Sequence, residues 1–185
     1  MKIISIYTNQ KLLIKKAKTG NREAQKWLYD KHAPRMLSVC RQYIKDVHFA
    51  EDVMIKGFLK VFLHLHTFKS EGSFEGWIRR IMVRECITEL RKQRRIVFDD
   101  TIFETCEMSQ VSMDSELDVA YIQVLIDDLP EGYKTVFVLY AIEGYKHTEI
   151  AQMLEISVNT SKSQLFKARR MLQEKLRQQE ASEQA

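Results

Sequence analysis

Proline and glycine are scarce, at 2 and 6 of 185 residues. Tight turns are built from those residues, so an architecture of many short strands, a β-sandwich or β-barrel, is excluded. Cysteine is scarce too. Cys40, Cys86 and Cys106 are odd in number and show no CxxC spacing, which removes a disulfide scaffold and a cysteine zinc site. No run approaches the roughly 18 uninterrupted apolar residues of a membrane span, and the apolar run within Met1–Lys11 is too short for a signal peptide. The expectation is a cytoplasmic, soluble chain with reduced thiols and no membrane insertion. A glycine-rich phosphate loop and a nucleophile motif are also missing. His64-Leu65-His66 and the Glu51-Asp52 pair have no third ligand at recognisable spacing, so they read as surface histidines and helix-start acids. No metal, cofactor or catalytic role is expected.

The most informative absence is of basic residues between 96 and 130, where nine acidic side chains give −9. Residues 1–95 carry 21 basic against 9 acidic groups, a net +12, and residues 131–185 carry +1, so the overall +4 conceals a strong division. A basic block, an acidic strip and a near-neutral block imply two modules and a connector, with polyanion binding the first functional class to consider. At 45% hydrophobic residues the chain can bury real cores.

The hydrophobic period is helical nearly throughout. It predicts helices over Lys11–Lys18, Ala24–Tyr43 (interrupted or bent near Pro34), Ala50–His66 and Phe74–Arg94, the last after the turn signal Ser70-Glu71-Gly72-Ser73. Residues 96–117 have no period and read as a flexible acidic linker. Helices resume at Asp118–Ile126 and Glu131–Ile142, with Asp127-Asp128-Leu129-Pro130 supplying a cap and a first-turn proline. Gly144 ends that helix. Lys146–Leu154 and Val158–Gln178 follow, Ser157 capping the last. The fold class is all-α: two small helical domains, 1–95 and 118–185, joined by the linker, the C-terminal one a helix-turn-helix.

A short helix opened by Glu149-Ile150-Ala151, a turn at Glu155-Ile156-Ser157 and a longer helix make that motif, which reads duplex DNA in the major groove. On the second helix Leu165, Ala168, Leu172 and Leu176 form the core stripe. Lys162, Ser163, Phe166 and Lys167 share the opposite face, the lysines suited to phosphates or guanine edges and Phe166 to a thymine methyl. A solvated face on an ordinary helical hairpin is the bland alternative, and the helix–turn–helix spacing weighs against it.

In the basic block, Arg80, Arg84, Thr88 and Arg91 form one narrow stripe on the helix Phe74–Arg94, flanked by Trp77 and Ile81. Rings beside guanidinium groups suit single-stranded nucleic acid, whose bases stack and whose backbone needs counter-charge. Taken alone, Phe74 and Trp77 read as core aromatics; the arginines favour a nucleic-acid surface for the helix as a whole. On Ala50–His66, Ile55, Leu59 and Leu63 make an apolar shoulder beside Asp52 and Lys56, either a partner surface or a wide core face.

These blocks, in this order, resemble the extracytoplasmic-function (ECF) subfamily of bacterial RNA polymerase sigma factors over about residues 22–177. The resemblance rests on Ala50-Glu51-Asp52-Val53 with Phe58-Leu59-Lys60, on Phe74 with Trp77-Ile78-Arg79-Arg80-Ile81, and on Leu90-Arg91-Lys92. In the second block it rests on Leu129-Pro130-Glu131, Glu143-Gly144, Glu149-Ile150-Ala151, Thr160-Ser161-Lys162-Ser163 and Lys167-Ala168-Arg169. It implies a promoter-specificity subunit without chemistry of its own. Asp52, Ile55, Lys56 and Leu59 would meet core RNA polymerase. The loop Lys69–Glu75, with Phe74, Trp77, Arg80, Arg84, Thr88 and Arg91, would face the −10 strand of promoter DNA. Lys162, Ser163, Phe166 and Lys167 would enter the −35 groove. An anti-sigma factor is the further partner implied. The chain departs from the family pattern at three places: Ile55-Lys56 replaces Gln-Glu, Arg84 replaces Asn, and Asn159-Thr160-Ser161 replaces Gly-Thr-Val. The alternative reading of the same residues is a stand-alone helix-turn-helix regulator whose N-terminal domain senses or dimerises.

Overall fold

A computed structural model describes residues 10–92 and 119–183. The expected acidic linker at 96–117, with Cys106, lies outside the described residues. Every element among them is helical. The chain divides into two compact units, Met1–Leu90 and Arg91–Ala185, the boundary falling in the last turn of the fourth helix.

The first unit holds α1 (Gln10–Lys18), α2 (Arg22–Tyr43), α3 (Val47–Leu63), a short 3-10 turn at Leu65–Thr67, and all but the last two residues of α4 (Phe74–Lys92). Gly20, at φ +83°, lets the chain turn out of α1, and the Asn21 side chain caps α2 by accepting from the Ala24 N–H at 2.8 Å. The predicted interruption at Pro34 does not occur, since α2 runs through it. Pro34 is exposed, so water can satisfy the carbonyl that it leaves unpaired, while buried Met36, Val39, Cys40 and Tyr43 continue the packed stripe beyond it. α3 begins earlier than its apolar period suggests because Asp46 accepts from the Phe49 N–H at 2.7 Å.

Two features bring α3 and α4 together. Gly57 faces Met82 so closely that a Cβ there would lie 2.3 Å from its Sδ. Beside that contact, Lys56 and Lys60 of α3 meet Glu89 and Glu85 of α4, two carboxylates that are themselves buried. A buried carboxylate needs a paired cation to offset its lost hydration. The amphipathic period gave no hint of either pair.

The second unit comprises α5 (Val119–Asp127), α6 (Glu131–Phe137) extended by a π-helical turn over Val138–Ile142, α7 (His147–Leu154) and α8 (Val158–Glu183). Pro130 stands at the N-cap of α6 without a side-chain cap, one position before the first-turn place expected for it. Buried Lys134 pairs with Asp127 at 2.6 Å, tying α6 to the end of α5. Gly144, at φ +76°, ends the π-helical turn, and the Tyr145 N–H returns to the Leu139 carbonyl at 3.0 Å. Val136, Leu139, Ile150, Leu154, Leu165 and Ala168 fill the core. Leu172 and Leu176, expected in that stripe, are only half-buried.

Candidate nucleic-acid interface

The helix-turn-helix is formed by α7 and α8. Glu149 reaches back to the Lys146 N–H at 2.8 Å at the start of α7. Glu155, at φ +56°, turns the chain out of it, with the Ile156 N–H on the Ala151 carbonyl at 3.1 Å. Ser157 caps α8 as its sequence position predicts, accepting from the Thr160 N–H at 2.9 Å.

The outward stripe of α8 differs from the expected one. Asn159, Lys162 and Arg170 are exposed and Phe166 is half-exposed, at spacings that keep them on one side of the helix. Ser163 does not belong to this face: it is buried, and its hydroxyl donates to the Thr160 carbonyl at 2.9 Å. Lys167 lies on the flank, its ammonium 5.8 Å from the centroid of the Tyr133 ring. A wheel separates core from surface but does not resolve the shoulder between them, where Ser163 and Lys167 fall.

The hydroxyl of Ser161, one of the departures from the resembled pattern, is accommodated by a specific partner. Ser161 is fully buried, and its Oγ lies 2.9 Å from Nδ1 of His147 on α7. The imidazole stacks on Tyr140 with centroids 4.6 Å apart, and the Arg169 guanidinium sits 5.6 Å from the Tyr140 ring centroid. Burial, then Lys162 and Arg169 nearby, hold the His147 pKa below its ordinary value, favouring the neutral ring. This chain of contacts fixes the angle at which α8 is presented. Nothing in the sequence spacing marked it.

On α4, Arg80, Arg84, Thr88 and Arg91 are all exposed, as the wheel predicts. Thr88 donates its hydroxyl to the Arg84 carbonyl at 2.8 Å, so its methyl and the arginines define the surface. Phe74 is a correction: it is buried, edge-on to His32 at 5.6 Å and to Phe68 at 5.1 Å. Trp77 is half-buried and stacks on Phe74 at 5.9 Å. Phe74 therefore supports the tryptophan from below. A period count sees two aromatics on one helix turn and cannot tell the supporting ring from the supported one.

The apolar shoulder of α3 lies in solvent: Ile55, Leu59 and Leu63 are 54%, 61% and 62% exposed. Asp52 and Lys56 are exposed beside them. The Lys56 ammonium lies 3.1 Å from Glu89, so the charge reversal at this position is largely compensated within the unit. Contiguous exposed leucine and isoleucine on a helix face mark an interaction surface. Among the described residues no cluster of His, Cys, Asp or Glu could hold a metal ion, and no helix is long and apolar enough to cross a membrane.

Comparison with known proteins assigns the two units separately. Residues 28–96 match the family model Sigma-70 region 2, and residues 120–172 match Sigma-70, region 4. The ECF RNA polymerase sigma factor SigW of Bacillus subtilis is 28% identical over 177 residues, covering 89% of this chain and 95% of that protein. The ECF RNA polymerase sigma-E factor of Haemophilus influenzae is 26% identical over 178 residues, covering 89% and 93%. Among solved structures, the sigma factor RpoE of Bartonella quintana, crystallised with the anti-sigma factor NepR, superposes with a TM-score of 0.52 at 20% identity, covering 82% of this chain and 96% of that one. With region 2 in the first unit, region 4 in the second and ECF relatives matching along nearly their whole length, the chain belongs to the ECF family of bacterial RNA polymerase sigma factors, which direct promoter-specific transcription.

Proposed function

We propose that the two units divide promoter recognition between duplex and single strand. The observation that carries this is the pair of unlike basic surfaces. One is a capped recognition helix whose side chains project outward at major-groove spacing. The other is an arginine stripe beside a half-buried tryptophan. In the second unit, Asn159, Lys162, Phe166 and Arg170, with Lys167 on the flank, read the −35 element as duplex. On α4, Arg80, Arg84, Thr88, Arg91 and Trp77 hold the melted −10 strand, replacing base stacking by ring and guanidinium contacts. The α3 face of Asp52, Ile55, Lys56 and Leu59 docks core RNA polymerase. The protein acts by binding alone, without catalysis, in the cytoplasm. A protein of the anti-sigma kind, such as that bound by the solved Bartonella relative, is the partner that would hold it inactive.

In vitro transcription with core polymerase on genomic fragments tests the reading. Promoter-specific initiation is expected. Replacing Lys162 and Lys167 with Ala should weaken −35 binding and flatten its salt dependence. Replacing Arg80 and Arg84 with Ala should spare duplex binding and impair opening, visible by permanganate footprinting. Tight binding of isolated duplex without polymerase, together with no gain of initiation, would identify a stand-alone regulator instead.

A further inference from the structure

The loop between the 3-10 turn and α4, residues 69–73, is exposed at every position, yet its ends are anchored firmly. At its start, Phe68 is buried against Phe74 and Trp77, with centroids 5.1 and 5.4 Å away. The Phe68 carbonyl accepts from Lys18 Nζ at 2.6 Å, across 50 residues of sequence, and the same ammonium lies 6.0 Å from the Phe68 ring centroid. At the other end, Glu75 accepts from Arg35 Nη1 at 2.8 and 3.0 Å, and buried His32 packs under Phe74. Between the anchors Ser70 holds φ +62°, a left-handed conformation uncommon for a residue with a Cβ, and Gly72 holds φ +87°. A loop whose ends were loose would relax Ser70 to an ordinary conformation.

We propose that Lys18 and Arg35 are positioning residues for strand capture. Each ties one end of the loop to an N-terminal helix and so fixes the loop's pose beside Trp77 and the arginine stripe. This rests on the assignment of α4 to the −10 strand. The energetic sense is preorganisation. A loop already in its binding pose loses less conformational freedom when the strand arrives. Neither residue belongs to the α3 face or to α8, so polymerase docking and duplex reading should not depend on them.

The test uses holoenzyme and a fluorescein-labelled single-stranded oligonucleotide, the non-template strand of a promoter recovered in the transcription experiment, with core affinity and −35 duplex binding measured in parallel. Lys18→Met keeps the apolar stem on Phe68 and removes the donor. Arg35→Glu reverses one partner of the second tie. Each should weaken strand capture about threefold to tenfold, the range for one ordinary net hydrogen bond, with core affinity and duplex binding unchanged. Lys18→Arg and the exchanged pair Arg35→Glu/Glu75→Arg should restore capture. Wild-type capture by both single variants overturns the proposal. So does an equal loss of capture and core affinity in the variants, which would mean general loosening of the unit. Arg80→Ala/Arg84→Ala is measured alongside. If that variant also captures the strand normally, the −10 assignment itself fails; if it alone loses capture, only the positioning role does.

Discussion

Replacing Gly57 by alanine is a sharp probe of how α3 is seated. Helix propensity alone favours alanine by about 1 kcal/mol at an interior helical position. The packing opposes it. The new Cβ would lie 2.3 Å from Met82 Sδ and 3.1 Å from Cε. Ordinary carbon–sulfur contact is near 4 Å, so the overlap is about 1.5 Å. Met82 is fully buried, so its thioether cannot swing into solvent. Overpacking of this kind costs about 1–3 kcal/mol and occasionally more. Taking the upper part of that range against the propensity gain leaves a net destabilisation of about 2 kcal/mol. Trp27 and Trp77 are the chain's two tryptophans and both belong to the first unit, so tryptophan emission, excited where tyrosine does not absorb, reports that unit alone during urea unfolding. Met82→Ala by itself should cost about 2–5 kcal/mol through the cavity it opens. The double variant should be at least about 1 kcal/mol more stable than the sum of the two, because the methyl introduced on α3 then occupies vacated space. Additive effects, or a Gly57→Ala variant more stable than the parent, would refute the close approach of α3 and α4.

Three further outcomes follow from the same contacts. Lys60→Met strips the partner from buried Glu85 and should destabilise the first unit by about 1–2 kcal/mol, less than a fully buried pair would because Lys60 is half exposed; adding Glu85→Gln should recover most of that loss in urea unfolding. Ile55→Ala/Leu59→Ala should leave that unfolding curve in place and lower affinity for core polymerase more than tenfold, as loss of central apolar anchors does; undiminished affinity in a pull-down titration would remove α3 from the docking surface. His147 is held below its ordinary pKa by burial and then by Lys162 and Arg169, so the unfolded chain protonates first on acidification. The stability this gives the second unit is present above about pH 6.5 and is lost as pH falls below it. His147→Gln should flatten that dependence in urea unfolding followed by circular dichroism, and an unchanged slope would exclude His147 as its source.

The division into two helical units was legible because it rests on long-period signals: charge by block, helical hydrophobic spacing, and the cap at Ser157, which accepts the Thr160 N–H; the caps at Asn21 and Asp46 were not read, and α2 and α3 start earlier for that reason. Local rules failed where tertiary packing outweighs them. Proline normally ends a helix, yet α2 passes Pro34 because buried side chains on both sides of it share one packed stripe. Among the candidate site residues, the exposure of the arginine stripe of α4 was readable, since a wheel predicts direction well for residues far from the core boundary, and the shoulder of α3, left open between partner surface and core, lies in solvent. Phe74 and Ser163 lie at that boundary. There the outcome depends on a partner 42 residues away or on a hydroxyl bending back to its own helix, and periodicity contains neither.

The two departures from the family pattern with visible consequences share one physical solution. At Lys56 a cation stands where the pattern has a carboxylate, and at Ser161 a hydroxyl stands where it has an apolar group. Left alone, the first would reverse the charge on the exposed α3 face and the second would bury an unsatisfied donor at a cost of about 1–3 kcal/mol. In each case a residue on the neighbouring helix completes the pair: Glu89 on α4 and His147 on α7. Lys56–Glu89 keeps the outward character of α3 dominated by Ile55, Leu59 and Leu63, and Ser161–His147 seats α8 on α7 without an apolar plug. Both substitutions are therefore halves of pairs, and either half transplanted alone into a relative should destabilise its unit. In both pairs the compensating group, Glu89 or His147, sits on the neighbouring helix, so the pairing sets the pose of α3 or α8 without occupying the exposed stripes of Ile55, Leu59 and Leu63 or of Asn159, Lys162 and Arg170.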